Sequence, residues 1–78
     1  MRVMYFASFR EVTGLPDEEV QLSDGSTVES LMETVRSIHE PLREVRRMLV
    51  AVNGEFAEPG TRLGEGDVVA LFPPVSGG

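Results

Sequence analysis

Cysteine is absent from all 78 residues, and that one absence removes several kinds of chemistry at once. No disulfide, thiolate metal site or cysteine nucleophile can form. Any reactive sulfur handled by such a protein must ride on a group other than a thiol. An excess of positive charge is missing as well: seven Lys plus Arg stand against thirteen Asp plus Glu, a net charge of −6. Nucleic acids and anionic membranes are normally bound by a basic face, so neither is expected as a partner. A basic protein partner suits this balance better. Long apolar runs are also lacking, since none approaches the ~18 residues that span a bilayer. Met1-Arg2-Val3 opens a strand-like run rather than a charged region followed by an apolar core. No signal peptide is read there, and a cytoplasmic location is expected.

What is present fits one small domain, 1–78, near the size at which a single core barely suffices. Hydrophobic residues make up 41% and charged residues 26%, too apolar for a disordered tail. Arg2 to Phe9 reads as a first strand, rich in β-branched and aromatic residues, and Arg10 to Gly14 as one helical turn stopped by Gly14 and Pro16. Asp17 to Leu22 reads as a second strand, closed by turn residues Ser23-Asp24-Gly25. Ser26 and Glu29 have capping-box spacing, with Thr27 a second candidate N-cap. Behind them Val28, Leu31, Met32, Val35 and Ile38 make one apolar helical stripe, which Pro41 ends. Pro41 to Arg47 reads as a short second helix with Leu42 and Val45 inward. Met48 to Val52 is a third strand, Asn53-Gly54 a strong hairpin signal, Glu55-Phe56 a brief return strand and Val68 to Phe72 the last strand.

Strand, strand, helix, strand, short strand, strand predicts a mixed four- to five-stranded sheet packed on one main helix. That is the β-grasp, an α+β two-layer fold with its first and last strands parallel at the centre. Alternation makes both faces of both central strands largely apolar. Central strands of a mixed sheet often run continuously hydrophobic, which accounts for this in one way. The other account is that a single helix covers one face only, leaving the second for a partner. Phe6, Phe56 and Phe72 are the candidates for that partner-facing patch.

No catalytic constellation stands out on the body. The lone His39 has no Cys, Asp or second His at ligand spacing, so no metal site is predicted and a solvated helix-end role is expected. Gly64-Glu65-Gly66-Asp67 lacks the ending and the following helix of a phosphate loop and reads as a turn. Arg43, Arg46 and Arg47 read as a solvated helix face, or alternatively as a docking patch for an acidic surface.

The chemistry points instead to the end of the chain. A pair of glycines at one given place arises by chance roughly once in 200 chains. Here Gly77-Gly78 sits behind an apolar strand and a stiff Pro73-Pro74. A carboxylate with no side chain beside it can thread a channel too narrow for any other residue. A carboxylate is also a poor electrophile and needs a leaving group such as AMP. Its acyl-adenylate can then be attacked by sulfide or persulfide to give a thiocarboxylate, or by an amine to give an amide. Pro73, Pro74, Val75, Ser76, Gly77 and Gly78 form an expected extended, flexible tail, 73–78, reaching at most ~20 Å. The prolines reduce its ordering cost by holding the base extended.

These residues carry a resemblance. Val3-Met4-Tyr5-Phe6-Ala7, Thr27-Val28-Glu29-Ser30-Leu31, Val52-Asn53-Gly54, Leu63-Gly64-Glu65-Gly66-Asp67 and the terminal Phe72-Pro73-Pro74-Val75-Ser76-Gly77-Gly78 are similar to segments of the MoaD-type sulfur carriers of the MoaD/ThiS family. These are ubiquitin-like small subunits of molybdopterin synthase. The resemblance implies that an E1-like, MoeB-type adenylyltransferase uses ATP to adenylate Gly78, which is then thiocarboxylated. The loaded tail would insert into a MoaE-type large subunit and donate sulfur to cyclic pyranopterin monophosphate. Two such transfers would build the dithiolene of molybdopterin in a heterotetramer, with no cofactor bound by the carrier itself. Alternatives are a carrier serving thiamine, tRNA thiolation or cysteine synthesis, a protein modifier forming isopeptide bonds, and a binding module with an inert tail.

Overall fold

A computed structural model describes residues 1–74. β1 (Arg2–Tyr5), α1 (Ser8–Thr13), β2 (Asp17–Glu19) and α2 (Val28–Ile38) are followed by a 3₁₀ helix (Glu40–Glu44), β3 (Leu49–Val52), β4 (Glu55–Phe56) and β5 (Val68–Phe72). The five strands form one sheet in the order β2-β1-β5-β3-β4. β1 and β5 run parallel at its centre, and the other neighbours are antiparallel. This is the β-grasp arrangement expected from the sequence.

The first strand is shorter than predicted. β1 stops at Tyr5, and Ala7 turns the chain at φ 52° so that Ser8 onward coils into α1. In a strand continued to Phe9, period-two alternation would put Phe9 on the same side as Tyr5, and the helix satisfies that placement as well. The helix wins because it folds Phe9 back into the core, with the amide of Phe9 donating to the Phe6 carbonyl at 3.1 Å. Gly14, at φ 73°, ends α1 in the left-handed conformation that glycine adopts without strain. β2 is also short, since its partner begins at Arg2, opposite Glu19. Beyond Glu19 there is little strand left to pair with, and Val20 instead donates its amide to the Met1 carbonyl at 2.9 Å.

Thr27 caps α2, its Oγ1 accepting the amide of Ser30 at 3.3 Å. Ser26 is not the cap, because its hydroxyl is spent on the Ser23 carbonyl at 2.6 Å, closing the preceding turn. Val28, Leu31 and Val35 are buried as the stripe predicts, while Ile38 is exposed at the last turn. The helix stops at Ile38, and Pro41 sits in the first turn of the 3₁₀ helix that replaces the expected Pro41–Arg47 helix. Leu42 of that helix is fully buried. Asn53 and Gly54, at φ 51° and 87°, form the tight β3–β4 turn.

Register assigns the faces. Val3, Val69 and Val52 form one row across β1, β5 and β3, and Tyr5, Leu71 and Val50 the next. These rows meet α2, the 3₁₀ helix and Phe9 to make the core. The opposite face presents the intervening residues, and no helix lies over it among the described residues.

Candidate functional site

The uncovered face is apolar and ends where the tail begins. One row runs through Met4, Ala70, Ala51 and Phe56, and the next pairs Phe72 with Leu49. Phe6 follows β1 directly and donates its amide to the Leu71 carbonyl at 3.1 Å. Phe72 is half-buried between the other two phenylalanines. Its ring centroid lies 6.4 Å from that of Phe6, nearly edge-on, and 5.8 Å from that of Phe56. The outer members remain open, Phe6 at 41% and Phe56 at 74% exposure. The three candidates from sequence thus share one strip, at the end of β5 where the tail departs. None belongs to the core cluster. Met4, Leu49, Ala51 and Ala70, not singled out from the sequence, complete the face.

Two local devices hold this strip open. The backbone turn at Ala7 separates Phe6, left on the outer face, from Phe9, sent into the core. The Asn53-Gly54 turn returns the chain so that Phe56 lands opposite Ala51. That turn is tied to β5 by Asn53, whose amide donates to Asp67 at 2.9 Å and whose side-chain carbonyl accepts the amide of Val68 at 3.0 Å. Hydrogen bonds from the Gly64 amide and then from Asn53 hold the Asp67 carboxyl below its usual range. Of the predicted tail, Pro73 is half-buried and Pro74 exposed at the end of β5. Val75, Ser76, Gly77 and Gly78 lie outside the described residues.

A polar cluster on the inner layer was not foreseen. Glu18 lies opposite Val3 and so points to the helix side of the sheet. One of its carboxylate oxygens accepts the Tyr5 hydroxyl at 2.5 Å and also meets His39 Nε2. The Tyr5 and His39 rings meet edge to face at 5.5 Å. His39 is therefore not the solvated helix-end residue expected, since its side chain is only 13% exposed. Burial opposes the charged form of Glu18, yet hydrogen bonds from Tyr5 and His39 overcome this and hold its carboxyl below the usual range. Burial first, then the hydrogen bond to Glu18, pushes the Tyr5 hydroxyl far up. The only forewarning in sequence was an acidic residue at an inward position of β2.

Arg36 donates to the Val45 carbonyl at 3.2 Å, and Arg43 Nε to the Arg36 carbonyl at 3.3 Å. Arg43 thus helps fasten the 3₁₀ helix to α2, while Arg46 and Arg47 are exposed. Among the described residues no helix is long and apolar enough to cross a membrane, and no group of three or more acidic, His or Cys side chains is placed to hold a metal.

An apolar sheet face on a β-grasp body, with a Gly-Gly pair following the last strand in sequence, is the pattern of a ubiquitin-like carrier. Comparison with known proteins fixes the family: the chain belongs to the ThiS family, whose model matches residues 3–78. It is 38% identical to the molybdopterin synthase sulfur carrier subunit of Chlamydomonas reinhardtii, covering 100% of this chain and 98% of that protein. It is 35% identical to small archaeal modifier protein 1 of Haloferax volcanii, covering 94% of each. Among solved structures, a putative molybdopterin converting factor subunit 1 from Pyrococcus furiosus superposes with a TM-score of 0.87 at 36% identity, covering 95% of each chain. The same fold occurs in a protein–protein complex of subunits 1 and 2 of the molybdopterin-converting factor from Helicobacter pylori, with a TM-score of 0.68 at 24% identity, covering 99% of this chain and 96% of that one.

Proposed function

We propose that this chain is the sulfur carrier subunit of a molybdopterin synthase. An E1-like, MoeB-type enzyme consumes ATP to adenylate Gly78, AMP leaves as sulfur arrives, and the thiocarboxylate is carried on the tail. Loaded tails enter the MoaE-type large subunit, where two successive transfers to cyclic pyranopterin monophosphate build the dithiolene. The catalytic groups and the nucleotide site belong to the partners, and the carrier binds no cofactor of its own. In this reading the work is cytoplasmic, which its dependence on ATP supports, and the assembly holds two carriers and two large subunits.

One observation carries this reading: Phe72-Pro73-Pro74-Val75-Ser76-Gly77-Gly78 ends a chain that is similar over its full length to several proteins named as molybdopterin synthase sulfur carrier subunits. The outer sheet face supports it, because an apolar strip around the root of the tail suits a partner that must grip the body while receiving the terminus. The acidic body, at −6, suits a partner with a basic rim.

Likeness to an archaeal modifier favours a second reading, in which activated Gly78 ends in an isopeptide bond to a lysine of another protein. Reconstitution with large subunit, activating enzyme, ATP, sulfide and pterin precursor separates the two. Native chain is expected to support dithiolene formation, and deletion of Gly78 to abolish it with an unchanged melting temperature. Retained sulfur transfer in the deletion would contradict the assignment of Gly78, and protein conjugates without pterin product would favour the modifier.

A further inference from the structure

All seven basic residues are arginine, so the chain contains no lysine, and it contains no cysteine either. The stronger nucleophiles that remain are occupied. The α-amine of Met1 donates to the Val20 carbonyl at 3.0 Å and lies 3.4 Å from the Glu19 carboxylate. The Tyr5 hydroxyl and His39 Nε2 both bond the carboxylate of Glu18. Every cation away from the N-terminus and His39 is thus a guanidinium. From the ordinary acidities of the two side chains, a lysine holds about a hundred- to a thousandfold more free base than an arginine at a given pH.

We propose that the body of this carrier is chemically silent toward an activated carboxyl terminus, its own or that of another copy, so that the acyl group passes only to a nucleophile supplied by a partner. This rests on the reading that Gly78 is activated. In transfer to an amine, a C–N bond forms at the Gly78 carbonyl carbon and its C–O bond to AMP breaks. AMP leaves with the bonding pair, and the amine releases a proton to solvent. A lysine on the carrier would divert the acyl group into a cyclised chain or a dimer, both dead ends for sulfur transfer. Arginine keeps positive charge on the surface without offering that route. A further consequence is that any conjugate to another protein would hold a single copy, since one copy presents no lysine to the next.

A carboxyl-terminal thioester of the full chain, prepared by intein cleavage with mercaptoethanesulfonate, tests this without an activating enzyme. Native thioester is compared at mildly alkaline pH with a variant carrying Arg10→Lys, Arg46→Lys, Arg47→Lys and Arg62→Lys. These four arginines are exposed and make no side-chain hydrogen bond among the described residues. Intact mass and denaturing gels should show native chain losing its thioester only to hydrolysis, at the rate of a short peptide thioester ending in Val-Ser-Gly-Gly. The lysine variant should form cyclised and dimeric amides that native chain does not, each new lysine holding about a hundredfold more free base than the arginine it replaces. Hydroxylamine should discharge both, locating the silence in the body rather than in the acyl group. Self-adducts of native chain at the variant's rate, or a variant as silent as native, would overturn the proposal. Failure of an activating enzyme to adenylate Gly78 would refute the sulfur-carrier reading and leave this readout unchanged.

Discussion

Replacing Phe56 by alanine tests whether the outer sheet face is covered by the large subunit. Phe56 is the most open of the exposed large apolar residues, at 74%, and sits on the two-residue strand β4. Full burial of such a side chain is worth about 1.5–3 kcal/mol, so covering the exposed three-quarters gains about 1–2 kcal/mol on binding. Phe56→Ala should therefore raise the Kd for the large subunit about five- to thirtyfold. The free domain loses only the covered quarter and the contact with Phe72, together about 1 kcal/mol, or a fall in Tm of about 5 °C. Isothermal titration against the large subunit, with thermal melts of the free chain, reads both quantities. An unchanged Kd would show that Phe56 stays in water in the complex and refute the assignment of this face. A melt lowered by about 15 °C or more would instead make Phe56 part of the folding core.

Glu18→Gln should destabilise the protein by about 1–2 kcal/mol at neutral pH, because hydrogen bonds to a charged acceptor are worth about 1.5–3 kcal/mol and the amide keeps one acceptor. The Glu18 carboxyl is held below its ordinary value of 4.5, so its contribution is complete above that value and disappears as pH falls through the lower folded value. Melts of native and variant should converge on acidification, and a gap that persists or widens would refute the assigned hydrogen bonds. Ala7→Gly should stabilise the fold by about 1 kcal/mol, since φ 52° with ψ −132° costs a side chain about 1–3 kcal/mol and the added chain entropy offsets only part. A lower melting temperature in that variant would show that Ala7 is unstrained.

The sheet, its central parallel pair and the main helix were legible because each rests on local signals. The helix stripe, the Asn53-Gly54 turn and the alternation in β5 carry their structural reasons within a few residues. Boundaries were less legible where two local patterns agree. Phe9 points inward whether β1 continues or α1 begins, and Ser26 and Thr27 compete for one cap. The phenylalanine strip could be proposed from alternation, but its assembly around Phe72 needed the β1–β5–β3–β4 order. The Tyr5–Glu18–His39 cluster was invisible because it joins residues 13 and 21 positions apart across three elements. Nothing in the immediate sequence of His39 announces a carboxylate from β2.

The proposed function turns on the exchange of one oxygen for sulfur at Gly78. Intact mass of the chain after incubation with ATP, sulfide and the activating enzyme should rise by about 16 Da, through an acyl-adenylate that sulfide resolves. The gain should disappear when ATP is omitted or Gly78 deleted. An unchanged mass under complete conditions, or chain found only in amide-linked adducts with other proteins, would contradict the account.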